Sequence, residues 1–135
     1  MIRHLLDTHA VIALVGRPSA ELLARVEAST PGSLAISSIV AHELWYGACR
    51  SQRAAFNLET LRLLFADLPI LDFEREDARM AGEIRAELAR QGMPIGPSDV
   101  LIAGQARARG LPLVTNNTGE FSRVAGLQLE DWTVA

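Results

Sequence analysis

Residues 2–10 read Ile2-Arg3-His4-Leu5-Leu6-Asp7-Thr8-His9-Ala10, and this stretch decides the fold. A mostly apolar run ends abruptly at a carboxylate, which predicts a short buried strand over residues 2–6. The apolar segment 8–15 then predicts a helix with Thr8 as its N-cap. The same alternation recurs downstream, with further strands predicted at residues 34–37, 69–73, 111–115 and 127–132. Short apolar strands that alternate with helices indicate an α/β fold with a central, mostly parallel sheet.

Capping and breaking residues mark the other helices of this pattern. Ser19 is placed to cap a second helix, and Ser38 to begin the helix after the second strand. Apolar residues at helical spacing predict helices over residues 53–66 and 75–90. Pro97 suits the first turn of a helix that runs to Arg109, and Gly110 suits its C-terminal stop. Every predicted strand is thus joined to the next by a helical connection or a short loop.

Four acidic residues occupy equivalent places in this pattern. Asp7 follows the first strand, Glu43 lies in the helix after the second, Asp99 lies in the first turn of a later helix, and Glu120 follows the fourth strand. Ligands of parallel sheets bind beyond the carboxyl ends of the strands, so we expect the four to converge at one edge. Each also has a structural alternative, as a helix cap, a partner of the helix dipole or a solvated helix position. Clustered carboxylates repel one another, and Mg²⁺ or Mn²⁺ would relieve that repulsion.

Composition narrows the functional classes. The chain has 135 residues, which predicts one domain over residues 1–135, and 49% of them are apolar, with a mean hydropathy of +0.16. No apolar run is long enough to predict a membrane span, and the single Cys49 fits a reducing cytoplasm. The formal net charge is −3. All the basic residues other than histidine are arginine, so mechanisms that need a catalytic lysine are excluded.

Four motifs together resemble a known family. They are Leu5-Leu6-Asp7-Thr8, Ser37-Ser38 with Glu43-Leu44 and Gly47, Pro94-Ile95-Gly96-Pro97-Ser98-Asp99, and Leu113 to Phe121, which contains Asn116-Asn117 and Glu120. Their order and spacing resemble the PIN-domain ribonucleases, in particular the VapC toxins of bacterial type II toxin–antitoxin pairs. The resemblance implies a PIN-like three-layer α/β/α sandwich and a metal-dependent endoribonuclease that hydrolyses phosphodiester bonds in RNA, with tRNA as one substrate class.

The resemblance also implies partners. They are a VapB-type antitoxin that neutralises the toxin, an RNA substrate, a second copy in a homodimer, and DNA only indirectly through the antitoxin in a larger hetero-oligomer. No membrane partner is expected. An alternative is a PIN-type module that binds RNA or a protein without cutting.

The same resemblance assigns roles to individual residues. Catalytic and metal-binding roles fall on Asp7, Glu43, Asp99 and Glu120, with Mg²⁺ as the expected ion and Mn²⁺ as a substitute. Supporting roles fall on Thr8, His9 and Asn117. The family's usual triplet is Asp-Thr-Asn, and this chain has His9 in the third position. Histidine can donate and accept hydrogen bonds, and we expect it to support Asp7.

Two surfaces are also predicted. Because the chain has no lysine, arginines must face the RNA backbone, and the candidates are Arg85, Arg90, Arg107, Arg109 and Arg123. The helix over residues 53–66 carries more apolar side chains than one small sheet face needs, which predicts self-association. The side chains in question are Leu58, Leu61, Leu64 and Phe65, with Trp45 and Tyr46 nearby.

Overall fold

The computed structural model describes residues 1–134, so the last residue of the predicted domain lies outside the described residues. Within this range there are five strands, all inside the predicted segments; the second has its predicted length and the other four are shorter than predicted. They are His4–Leu6 (β1), Leu34–Ser37 (β2), Ile70–Leu71 (β3), Leu113–Val114 (β4) and Leu129–Glu130 (β5). Every strand pairing is parallel, so the predicted sheet is confirmed.

The strand order is β3-β2-β1-β4-β5, which puts the first strand in the centre of the sheet. Leu5 of β1 pairs with Ala35 on one side and with Leu113 on the other. The chain winds outward from β1 in one direction, then returns and continues from β4 in the other. The carboxyl ends of β1 and β4 therefore form the topological switch point, where open α/β sheets bind their ligands.

Helices make up the connections. Right-handed crossovers put those before β2 and β3 on one face of the sheet and those before β4 and β5 on the other, which gives three layers. Across residues 1–134 no helix has the length and hydropathy that crossing a membrane requires. The helices are Thr8–Val15 (α1), Ala20–Ala28 (α2), Ser38–Arg50 (α3), Ala54–Asp67 (α4), Arg75–Arg90 (α5), Pro97–Ala108 (α6) and Thr118–Phe121 (α7).

The core forms around the central strands. Leu5, Leu6, Ala35 and Ile36 are completely buried, as is Leu113. Neighbouring residues of a strand point to opposite faces, so burial of both Leu5 and Leu6 shows that helices cover the sheet on both sides. This rigid centre carries the residue that follows β1, which is Asp7.

Helices α5 and α6 approach unusually closely. A Cβ atom at Gly104 of α6 would lie 2.6 Å from the Cα and Cβ atoms of Ala81 in α5, so glycine is required at this crossing. Nearby, Arg109 pairs with the buried Asp77 at 2.9 Å and donates to the Asp72 carbonyl oxygen at 2.7 Å. These contacts fix the direction of α6 and hence the position of its first turn, which contains Asp99.

Candidate active site

Asp7 lies at the switch point and is completely buried. The prediction that Thr8 caps α1 is wrong, because the Asp7 carboxylate is the cap and accepts the Ala10 N–H at 2.8 Å. Its other oxygen accepts a short hydrogen bond from the Thr115 hydroxyl. Burial raises the pKa of Asp7 above its usual value, although the bonds from Thr115 and Ala10 oppose that rise. Asp7 thus has a fixed orientation, and a nearby positive charge would favour the ionised form of its carboxyl group.

Thr115 is a site residue that the sequence analysis missed. It is buried directly after β4, beside Asp7 in the neighbouring strand, and its hydroxyl oxygen accepts the Asn117 N–H at 2.9 Å. Its position in the sequence could have identified it, because a threonine directly after the fourth strand lies at the same edge of the sheet as Asp7. Thr115 joins the ends of β1 and β4 and orders the turn that leads to Asn117.

Glu43 lies on α3, half-buried, and accepts a hydrogen bond from the Thr8 hydroxyl at 2.8 Å. Thr8 therefore holds the Glu43 carboxylate and does not cap the helix, and its supporting role in the site stays a prediction. The negative charge of Glu43 contributes to the raised pKa of both Asp7 and Asp99. The hydrogen bond from Thr8, the residue after Asp7, places Glu43 on the same edge of the sheet as Asp7.

Asp99 and Glu120 form a directly interacting pair. Burial, followed by the charge of Glu120, raises the pKa of Asp99 to about 6. The pKa of Glu120 is lowered, chiefly by the hydrogen bond from the Gly96 backbone N–H and also by the Asn117 side chain, whose Nδ2 lies 3.0 Å from the carboxylate. Without a cation, Asp99 therefore keeps its proton until the pH rises to about 6, and a hydrogen bond to the Glu120 carboxylate favours that protonated form. Ionisation of both carboxylates is unfavourable unless a positive charge lies between them.

Gly96 leaves the space in which this pair approaches. A Cβ atom there would lie 3.1 Å from Asp99 Oδ2 and 3.5 Å from Glu120 Oε1. The donor atoms are all carboxylate oxygens, which suits a hard divalent cation and not zinc. Each oxygen of Asp7 accepts one bond from the protein and keeps further lone-pair capacity. The chemistry of these donors therefore fits the expected ion.

His9 is exposed in the first turn of α1, and its positive charge lowers the pKa of both Asp7 and Asp99. The imidazole thus stands at the mouth of the carboxylate cluster. The supporting role expected of His9 stays a prediction. Its position is that of the amide in the family's usual triplet.

The carboxylates do not form a closed ligand set as their side chains stand. Within residues 1–134, no group of three or more His, Cys, Asp or Glu side chains is close enough together to hold a metal ion. The internal hydrogen bonds explain this, since Thr115 holds Asp7, Thr8 holds Glu43, and Gly96 holds Glu120. Coordination of one ion by the predicted residues stays a prediction.

The predicted basic face is only partly available. Arg90 is paired with Glu87, and Arg109 with the buried Asp77, so neither is a free phosphate ligand. Arg90 and Glu87 are three residues apart on α5, whereas Arg109 and Asp77 are 32 residues apart and only the fold brings them together. Among the described residues, no carboxylate pairs with the remaining candidates, which are Arg85, Arg107 and Arg123.

The predicted self-association face also changes. Leu61 is buried, and Leu58, Leu64 and Phe65 pack against the core, so these side chains complete the monomer. The apolar side chains that stay exposed on α3 and α4 are Trp45, Tyr46, Phe56 and Leu63.

Comparison with known proteins agrees with this geometry. The PIN domain family model matches residues 4–127. The tRNA(fMet)-specific endonuclease VapC of Shigella flexneri is 44% identical over 98% of this chain and 100% of its own length. The DNA-bound VapBC structure from Salmonella typhimurium has a TM-score of 0.91 at 41% identity, covering 98% of this chain and 99% of the matched chain. The VapBC-1 structure from nontypeable Haemophilus influenzae has the same TM-score at 32% identity, covering 99% of this chain and 100% of its own.

The resemblance inferred from the motifs is therefore confirmed over nearly the whole chain. The fold, the strand order and the sequence all agree with it. The chain belongs to the PIN-domain family and, within that family, to the VapC ribonucleases.

Proposed function

We propose that this chain is the toxin of a type II toxin–antitoxin pair and cleaves RNA with a divalent cation held by Asp7 and Asp99. The observation that carries the site assignment is the approach of Asp99 and Glu120 beside Gly96, where burial and the charge of Glu120 raise the pKa of Asp99 to about 6. A bound cation lowers the free-energy cost of ionising such a cluster, and Mg²⁺ is an ion that oxygen donors of this kind bind. Glu43 and Glu120 complete the set, with Mn²⁺ as a substitute ion.

The residues around the cluster have separable tasks. When bound, the cation would supply activation of water and neutralisation of charge on the phosphate. Thr115 and Ala10 fix the orientation of the Asp7 carboxylate. The Thr8 hydroxyl holds Glu43 at the rim, in position to orient water. Asn117 and Gly96 hold Glu120 beside Asp99, where the charge of Glu120 opposes ionisation of Asp99.

We propose tRNA as the substrate class. The Shigella flexneri and Salmonella typhimurium relatives are described as tRNA(fMet)-specific endonucleases. These relatives match 98% of this chain, so the region that binds substrate is shared. Unpaired loop nucleotides offer a phosphodiester bond that can enter a carboxylate site at a sheet edge, whereas a regular A-form stem hides its bases.

A VapB-type antitoxin is the proposed inhibitor. An apolar groove of about 240 Å³ runs from Thr8 and Glu43 along α3 and α4, with Ile12, Leu44 and Leu61 in its walls. An antitoxin segment seated there can place an arginine among the carboxylates, where guanidinium pairs with carboxylate in a bidentate manner. DNA binding would then belong to the antitoxin, and a homodimer of the toxin would bury exposed apolar side chains such as Trp45 and Leu63.

The test is cleavage of labelled tRNA in EDTA, Mg²⁺ and Mn²⁺ by the wild type, Asp7→Asn and Asp99→Asn. Cleavage should require the metal and be lost in both variants, with unfolding midpoints close to the wild type. Asp67→Asn, an exposed change on α4, is the matched control and should cleave normally. RNA binding without any metal-dependent cleavage by the wild type would instead establish the non-cleaving alternative.

A further inference from the structure

Two exposed aromatic side chains lie beyond the carboxylate cluster, and an arginine stacks on each. Tyr46 is 60% exposed and Phe56 is 57% exposed. The Cζ atom of Arg50 lies 5.6 Å from the centre of the Tyr46 ring, and that of Arg53 lies 4.2 Å from the centre of the Phe56 ring. We call Tyr46, Arg50, Arg53 and Phe56 the aromatic–arginine platform. It spans the end of α3 and the start of α4.

Helix geometry connects this platform with the site. Glu43, Tyr46 and Arg50 are spaced by three and four residues on α3, so they lie on one face of that helix. At a rise of ~1.5 Å per residue, Arg50 stands roughly 10 Å along the helix from Glu43. A single RNA strand that leaves the carboxylates along this face of α3 would pass over the platform.

The charges favour a polyanion. Arg50 and Arg53 have no carboxylate partner among residues 1–134, whereas five other arginines of the chain are held in ion pairs. The chain carries a net charge of −3, so a phosphate backbone needs local positive charge near the acidic cluster. Of the arginines predicted from the sequence, Arg107 and Arg123 already donate to backbone carbonyl oxygens.

Stacking leaves the N–H donors of each guanidinium and one face of each aromatic ring free to bind RNA. A guanidinium that lies over a ring keeps its N–H donors at its edge, where they can bind a phosphate. The opposite face of an exposed ring can stack on a nucleobase of any sequence. The platform also lies outside the apolar groove, whose walls contain none of its four residues. An antitoxin segment in that groove therefore does not need the platform.

We propose that the aromatic–arginine platform binds single-stranded RNA next to the scissile bond, with Arg50 and Arg53 on phosphates and Tyr46 and Phe56 under nucleobases. This inference rests on the proposed function and identifies the surface that holds its substrate. It assigns binding to side chains that do not touch the reacting phosphate. Their loss should therefore act on RNA affinity and KM before kcat.

The test uses the full chain with Asp7→Asn, which prevents turnover, and a fluorescent single-stranded RNA oligonucleotide whose anisotropy reports binding. Arg50→Gln and Arg53→Gln should each raise Kd and reduce the slope of log Kd against log salt concentration by about 0.7, the value for one phosphate contact on a single strand. Tyr46→Ala and Phe56→Ala should each raise Kd by about 5- to 150-fold with the salt slope unchanged.

Arg62→Gln is the matched control for charge. Arg62 lies on α4, is exposed and pairs with Glu59, so its loss changes the net charge by the same amount as Arg50→Gln. Its Kd and salt slope should equal those of the parent. Because all these side chains are exposed, the unfolding midpoint of every variant should match the parent, which removes misfolding as an explanation.

Several results would overturn the inference. If the wild type cleaves RNA but the platform variants bind it with parental affinity and slope, the platform does not hold the substrate. Lost antitoxin affinity or a changed sedimentation mass with unchanged RNA affinity would make the platform a protein contact. A separate outcome concerns the proposed function: platform-dependent RNA binding by a wild type that does not cleave would sustain this inference while refuting the nuclease.

Discussion

Replacing Gly104 by alanine should force α5 and α6 apart. The new Cβ would lie 2.6 Å from backbone and side-chain carbon atoms of Ala81, about 1 Å inside ordinary van der Waals contact. Overpacking of this kind costs about 1–3 kcal/mol. The cost should lie near the upper limit of that range, because the contacted atoms include the backbone of Ala81, which cannot move aside easily. Alanine also gains about 1 kcal/mol of helix propensity. The net free energy of unfolding should therefore fall by about 1–2 kcal/mol, a drop in Tm of roughly 4–8 °C.

Gly82→Ala is the matched control, because Gly82 lies in the middle of α5 and a Cβ there would meet nothing within 4 Å. Only the propensity gain applies, so its Tm should rise by a few degrees. Thermal unfolding followed by circular dichroism measures both variants, and RNA cleavage reports whether displacement of α6 also moves Asp99. Equal stabilisation of the two variants would refute the claim that the helix crossing requires glycine.

Other perturbations test the site and its supports. In the metal-free protein, the pKa of about 6 at Asp99 means that the folded state binds this proton more tightly than the unfolded chain. Stability in urea should therefore fall as the pH rises from about 4.5 to about 6.5, and Asp99→Asn should remove that fall. Gly96→Ala should lower kcat by roughly tenfold with little change in Tm, because its Cβ would crowd Asp99 Oδ2 at 3.1 Å. Arg109→Gln should cost about 1–2 kcal/mol in chemical denaturation, since it leaves the buried Asp77 carboxylate without its cation; an unchanged midpoint would show that the pair contributes nothing. Saturating Mg²⁺ at 100 times its Kd should stabilise the wild type by about 2.7 kcal/mol in a thermal shift assay, and an equal shift in Asp7→Asn would place the ion elsewhere.

The order of strands and helices was predictable because the sequence repeats one local pattern. Apolar runs such as residues 34–37 and capping residues such as Ser19 act through neighbours in the chain, and both are in the structure as predicted. Strand ends were less predictable, because a strand extends only as far as the neighbouring strand offers hydrogen-bond partners. Pairing therefore trims residues 69–73 to Ile70–Leu71. Helix α7 has four residues, too few to show a periodicity.

The site divides in the same way. The positions of Asp7, Glu43 and Asp99 followed from the rule for parallel sheets, which needs only the strand order. Their hydrogen-bond partners did not, because Thr115 is 108 residues from Asp7 along the chain and only the fold brings them together. The pairing of Arg109 with Asp77, 32 residues apart, was likewise hidden from the sequence.

The carboxylate of Asp7 closes the first turn of α1 and ties the end of β1 to Thr115. Alanine at this position would lose a helix cap, worth about 1 kcal/mol, and leave a buried hydroxyl without its partner. Asparagine has the same shape and no charge: its oxygen can keep the helix cap, and its NH2 group can donate to the Thr115 oxygen, which reverses that hydrogen bond. In a gene copy no longer selected for RNA cleavage, replacement of Asp7 by Asn should therefore be tolerated better than replacement by Ala. An inactive descendant of this protein would then keep a side chain of the same shape at position 7 without its charge.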